Sequence, residues 1–158
     1  MGIYMKYDDI KGAVTTDGFK DWIELESFQW GAERNIHSPT GGATTREHSE
    51  PTFHEVVVTK RTDVSSPKLF YESVGGVLNH KVTVKFTTTT KGKVETYLTF
   101  ELEDTGVSGF SLSSHGEAPE ESLTLNFTKI SATMIGHDPS ITGSPETVGY
   151  DLTKMKAM

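Results

Sequence analysis

Apolar and polar residues alternate with period two along most of the chain, the pattern of strands that bury one face. The stretch "KVTVKFTTTTKGKVETYLTFELED" shows it best. Val82, Val84 and Phe86 share one face before the Lys91-Gly92-Lys93 turn. Val94, Leu98, Phe100 and Leu102 share one face after it, with Glu95, Glu101 and Glu103 opposite. This predicts a half-buried antiparallel hairpin. Further strands are predicted over Ile3–Ile10, Trp22–Trp30, Thr52–Lys60, Val107–Leu112, Leu123–Ile135 and Val148–Leu152. In the long segment, Leu123, Leu125 and Phe127 occupy odd positions, whereas Ile130, Ala132 and Met134 occupy even ones. That change of phase predicts a bulge or a sharp bend. The prolines all fall outside the strand interiors, as their missing N–H requires.

One segment breaks the pattern. In "SSPKLFYESVGG", Ser66 suits a helix N-cap, Pro67 the first helical position and Gly75 a left-handed stop. Phe70 and Val74 lie one turn apart with Leu69 beside them. This predicts a short helix, about Pro67–Val74, with one apolar face. Alone in water it is too short to persist. Many short strands with turn signals between them and one helix make the fold class mainly β: a β-barrel or sandwich with the helix closing one opening. A long extended loop, about Gly31–Pro51, is rich in Gly, Ser, Thr and Pro and holds one large aliphatic residue, Ile36. Loops of that length in a compact domain are usually functional or disordered. The reading is of an arm that reaches a neighbour, beside the plainer one of a surface loop with no partner. No repeat or boundary divides residues 1–158, which read as a single domain.

Composition narrows the function. The chain of 158 residues has a formal net charge of −7, which disfavours nucleic acid and anionic membrane as partners. Without cysteine it has neither a disulfide framework nor a thiolate metal site. The opening "MGIYMKYDDIKG" has acidic residues where a signal peptide needs an apolar core, and no apolar run is long enough to span a membrane. The expectation is a protein made in the cytoplasm without a signal peptide, with no membrane insertion.

Candidate chemistry is sparse. His37, His48 and His54 lie in or beside the long loop, near Glu47, Glu50 and Glu55, but no two histidines share a helical turn as a metal site prefers. "GVSGF" sets Gly106, Ser108 and Gly109 in the wrong register for a nucleophile elbow, and Gly41-Gly42 lacks the ending of a phosphate loop. Glu24 and Glu26, two apart on one strand, could face a common space as a glycosidase pair does, although solvated faces are the simpler reading. No motif specifies an enzyme, a cofactor or a metal. What remains is binding or assembly.

At this point five fragments in order resemble the haemolysin-coregulated protein family, the tube-forming, secreted component of bacterial type VI secretion systems. They are "YMKYDDIKG", "DGFKDWIELESFQWG", "VTKRTDVSSPKLFYESVGG" with its Thr-Lys, Asp and Ser-Pro-x-Leu pattern, "ESLTLNFTKI" and "GYDLTK". The resemblance implies a two-sheet β-barrel with one short flanking α-helix, forming hexameric rings that stack into the inner tube of a contractile machine and are expelled from the cell. It implies a spike protein at the tube tip, a contractile sheath around it and small effector proteins held in the channel, with export through that system. It places the helix on the barrel, packed through Leu69, Phe70 and Val74, with its polar side bordering the ring. It makes the long loop the candidate for contact between rings, through Asn35, Ile36, His37, Arg46, Glu47 and His48. The alternative is a monomeric β-barrel that binds sugar or peptide through its loops. A third reading is a hydrolase or metalloenzyme built on the histidine-bearing loop.

Overall fold

The computed structural model describes residues 1–37, 47–48, 50–135 and 145–158. Its first strands are β1 (Gly2–Tyr7), β2 (Ile23–Leu25), β3 (Ser27–Gln29), β4 (Ala32–Glu33), β5 (Ile36–His37), β6 (Glu47–His48), β7 (Thr52–Phe53) and β8 (Val56–Arg61). A helix, α1 (Ser66–Gly75), follows. Then come β9 (His80–Thr90), β10 (Lys93–Ser113), β11 (Glu120–Asn126), β12 (Lys129–Met134), β13 (Glu146–Asp151) and β14 (Lys156–Ala157).

Two antiparallel sheets share β10. The larger runs β2-β1-β9-β10-β12-β13-β14, and the smaller runs β3-β8-β11-β10. The first part of β10 pairs with β9 and β12, whereas Gly106–Ser113 pairs with β11. Register shifts between Leu102 and Thr105, and again between Val107 and Gly109, bend the strand from one sheet into the other. Val107–Leu112, expected as a strand of its own, is therefore the far half of β10.

The opposite corner lies at Glu26, between β2 and β3, where the Glu26 N–H donates to Thr59 O at 2.8 Å. The Trp22–Trp30 strand breaks here, because its first half pairs with β1 and its second with β8. The sheets are joined at this corner by the chain and not by a continuous ladder. The expected barrel is thus two sheets left unclosed at Glu26.

The phase change near Phe127 has the same kind of cause. β11 belongs to the smaller sheet and β12 to the larger, with the crossing at Phe127-Thr128, so buried residues switch from odd to even positions. The β9–β10 hairpin closes in two residues, Lys91 and Gly92, at φ 51° and 77°. Two consecutive positive φ values make the turn whose twist fits paired strands, and Gly92 takes its place there without strain.

Inward residues from both sheets, among them Met5, Ile23, Val58, Val84, Leu102 and Leu123, form one buried cluster with Leu69 of α1. Toward one end this core turns aromatic. Phe28 stacks on Phe100 with centroids 4.9 Å apart, Trp30 meets Phe100 edge-on at 5.7 Å, and Phe53 packs on Tyr150 at 4.7 Å.

Those aromatics anchor the segment expected as a long extended loop. Its two sides pair as short ladders, Ala32 with Phe53 and Glu33 with Thr52, then Ile36 with His48 and His37 with Glu47. The backbone N–H groups of so polar a stretch find partners across the strand and need no apolar burial to hold them. At its described ends, what composition marked as a loop is a pair of short antiparallel ladders rooted on Trp30 and Phe53.

A helix clamped at both ends and the arm beside the core

The N-terminal end of α1 rests on a buried ionic cluster. Lys60 of β8 and Glu121 of β11 stand directly opposite each other in register, and both are fully buried. Lys60 Nζ lies 3.3 Å from Glu121 Oε2 and 3.1 Å from Asp63 Oδ1, and it donates to Ser66 Oγ at 3.1 Å and Arg61 O at 2.9 Å. Ser66 Oγ donates to Glu121 Oε2 at 2.6 Å and accepts from the Asp63 N–H at 3.0 Å. The Ser65 N–H donates to Asp63 Oδ1 at 2.9 Å. Two charges removed from water at this depth are tolerable only when paired and hydrogen-bonded in this way.

The same cluster changes what Ser66 does. Expected as an N-cap, it is the first helical residue, and its hydroxyl serves Lys60 and Glu121 in place of free helix amides. The adjacent N-cap position, Ser65, makes no side-chain cap.

The C-terminal end is held by a histidine. His80 Nδ1 lies 2.8 Å from Asp8 Oδ2, and its Nε2 lies 3.1 Å from Glu72 Oε2 on the helix. The second pair is close but misaligned for a hydrogen bond, and His80 Nε2 and Glu72 Oε2 remain without hydrogen-bond partners. Tyr7 Oη and Thr105 Oγ1, both on residues adjoining His80, are also buried without partners. Burial first, and the Glu72 and Asp8 carboxylates after it, push the Tyr7 phenol well above its ordinary range.

The chain leaves the helix through Gly76 in an extended conformation, φ −73° and ψ 156°, and not through a left-handed Gly75. A side chain at Gly76 would meet Glu72 Oε2 at 2.0 Å, so the glycine is what lets Glu72 fold back over the helix end.

These tethers fix which face of α1 points inward. Ser66, Leu69, Glu72 and the closing Gly76 follow helical spacing, and they make the inner face largely polar. Of the three residues expected to pack on the sheets, Leu69 is fully buried. Phe70 is 54% exposed, although its ring meets Phe110 edge-on at 5.6 Å. Val74, 70% exposed, does not pack inward. Because Ser66 must reach Lys60 and Glu121, the Phe70–Val74 stripe is turned toward solvent. The outer side of the helix, expected to be polar, carries Phe70, Tyr71 and Val74 instead.

Asn35 precedes β5, Ile36 is exposed in it, and His37, Glu47 and His48 lie on the paired backbone of β5 and β6. Arg46 lies outside the described residues. Glu24 and Glu26 line one surface groove with Arg61 and Asp63, and Arg61 Nε binds Glu26 Oε1 at 2.7 Å, which satisfies the carboxylate that a glycosidase pair would need free. Among the described residues no three His, Asp or Glu side chains converge as a metal site requires. Among them also, no helix is long and apolar enough to cross a membrane.

Two sheets, a clamped helix with an apolar outer face and a paired arm define a mainly β protein whose surface features are those of association. The model of the family described as "Type VI secretion system effector, Hcp" matches residues 4–134, and the chain belongs to this family. It is a family of secreted tube proteins.

Solved structures agree on the fold. A structure of a type six secretion system protein superposes with a TM-score of 0.86 at 24% identity, over 99% of each chain. Hcp1 from Salmonella typhimurium gives 0.78 at 21%, over 99% of this chain and 98% of that one. A type VI secretion system effector from Yersinia pestis gives 0.72 at 16%, over 94% and 98%. No curated protein sequence matches the chain.

Proposed function

We propose that the whole chain acts as one tube-protein domain of a type VI secretion system. Copies close into hexameric rings, the rings stack into an inner tube, and the tube is expelled with a spike protein at its tip and a contractile sheath around it. Small effector proteins travel in the channel. The role is mechanical and associative, without bond chemistry. The observation that carries this reading is the family match over residues 4–134.

Within that reading the arm spans rings. Its root is fixed by Trp30 and Phe53, and its described ends pair as short ladders. An arm held as a ladder costs less to order on contact than a free loop does.

Native mass by sedimentation, with negative-stain images, tests the assembly. Hexamers and annular particles are expected, and lone subunits at every concentration would overturn the reading. Replacing residues 36–47 by a short Gly-Ser turn is expected to leave rings and to abolish stacks. Long stacked tubes from that variant would remove the arm from the contact.

A further inference from the structure

Beyond α1, a second apolar surface lies uncovered. The larger sheet extends past the corner of β10 through β12 and β13. On its core-side face, Val148 is 62% exposed and Met134 50% exposed. Val148 pairs with Ala132 and Glu146 with Met134, so all four side chains lie on one face. This is the same face that buries Ile130 further along β12. It is a core surface that the smaller sheet, three strands short, does not reach.

The flank of α1 has the same character. Phe70, Tyr71, Val74, Val77, Leu78 and Leu112 are all more than half exposed. The two surfaces cannot meet within one chain. Leu78 packs over Gly106, Met134 pairs with Leu98, and those two positions of β10 are separated by eight residues, roughly 26 Å of strand.

From these surfaces we infer that the occupant of each is the other surface on a second copy of this chain. The helix flank of one subunit packs against the β12–β13 overhang of the next. Two unlike exposed apolar surfaces on a single chain favour head-to-tail contact, which closes into a ring when the rotation allows. Charge agrees: Lys68 is exposed on the helix, and Glu146 stands exposed beside Met134. The inference rests on the ring reading above and adds to it which two surfaces meet.

Two double variants test it: Tyr71→Glu with Val74→Glu, and Met134→Glu with Val148→Glu. All four residues are at least half exposed, so each variant is expected to keep the parent's circular dichroism. Each alone should sediment as a monomer where the parent forms hexamers. Mixed one to one, they should form a dimer, since one intact helix flank can still meet one intact overhang. Hexamers from either variant alone would overturn the pairing, as would a mixture that stays monomeric. Dimers from the overhang variant alone would show helix-to-helix contact and overturn it too. If the parent itself never forms rings, it is the ring reading that fails.

Discussion

The two ends of α1 are tied down by ionic groups of quite different quality. At the N-terminal end, Lys60 and Glu121 are wholly buried, and four groups surround the ammonium within 3.3 Å. At the C-terminal end, Asp8 is 40% exposed and His80 18%, and the histidine's second contact is misaligned. A buried ion pair stabilises only while both partners are present, whereas a partly solvated one can lose a partner to water cheaply. The first end should therefore behave as part of the core and the second as the place where the helix opens. The difference also explains the orientation of α1. The sealed end dictates the inward face, and the apolar stripe follows from it.

The largest effect should come from Lys60→Met, which leaves Glu121 charged and buried against Ser66 alone. A loss of about 3–5 kcal/mol is expected, equivalent to a melting temperature lower by roughly 10 °C for a chain of this size. Combining it with Glu121→Leu should recover most of that loss, because paired hydrophobic replacements of a buried ion pair are often neutral. If the single variant melts within a degree of the parent, the cluster does not support the helix.

His80→Ala should cost less, about 2 kcal/mol, as Asp8 and Glu72 lose a shared partner at a site water can reach. Amide hydrogen exchange separates the two ends: protection should fall at Tyr71–Gly75 and hold at Leu69. Equal loss along the helix would mean that the clamps are not independent.

Sequence disclosed these two ends unequally. Lys60, Asp63, Ser66 and Leu69 fall within ten residues, so the Thr-Lys, Asp and Ser-Pro-x-Leu pattern already held most of one clamp. Their chemistry did not follow from it, since Glu121 joins Lys60 across 61 positions. Asp8 and His80 lie 72 positions apart and carry no local signal at all. Strands were legible from period two. The corners at Glu26, at Phe127 and in the middle of β10 were visible at most as a phase change, because a strand that serves two sheets keeps its pattern while it changes partners. The outward turn of Phe70 and Val74 could not be read from spacing, which gives the relation between residues but not which face meets the core.

Tyr7→Phe sharpens the contrast from the other side, since it removes a buried hydroxyl that has no partner. Stability should rise by up to about 1 kcal/mol. The raised phenol also sets a sign with pH. A group whose folded pKa lies above the unfolded value contributes in full below about pH 10, and that contribution is lost as pH climbs beyond it. Melting curves from pH 9 upward should fall more steeply for the parent than for the Phe variant. Parallel curves would show that Tyr7 is solvated.

The smallest effect compares two serines on one helix. Ser66 Oγ stands between Lys60 and Glu121, so Ser66→Ala leaves buried charge short of a partner, at a cost of about 1–3 kcal/mol. Ser73 Oγ, seven residues on, only bends back to Phe70 O at 2.6 Å on the partly exposed side. That bond satisfies an oxygen the helix has already engaged or that water reaches, and alanine is the better helix former. Ser73→Ala should therefore change stability by no more than about 0.5 kcal/mol, and toward a higher melting temperature. A clear loss at Ser73 would mean that the C-terminal end is as tightly built as the N-terminal one, and the asymmetry between the two clamps would vanish.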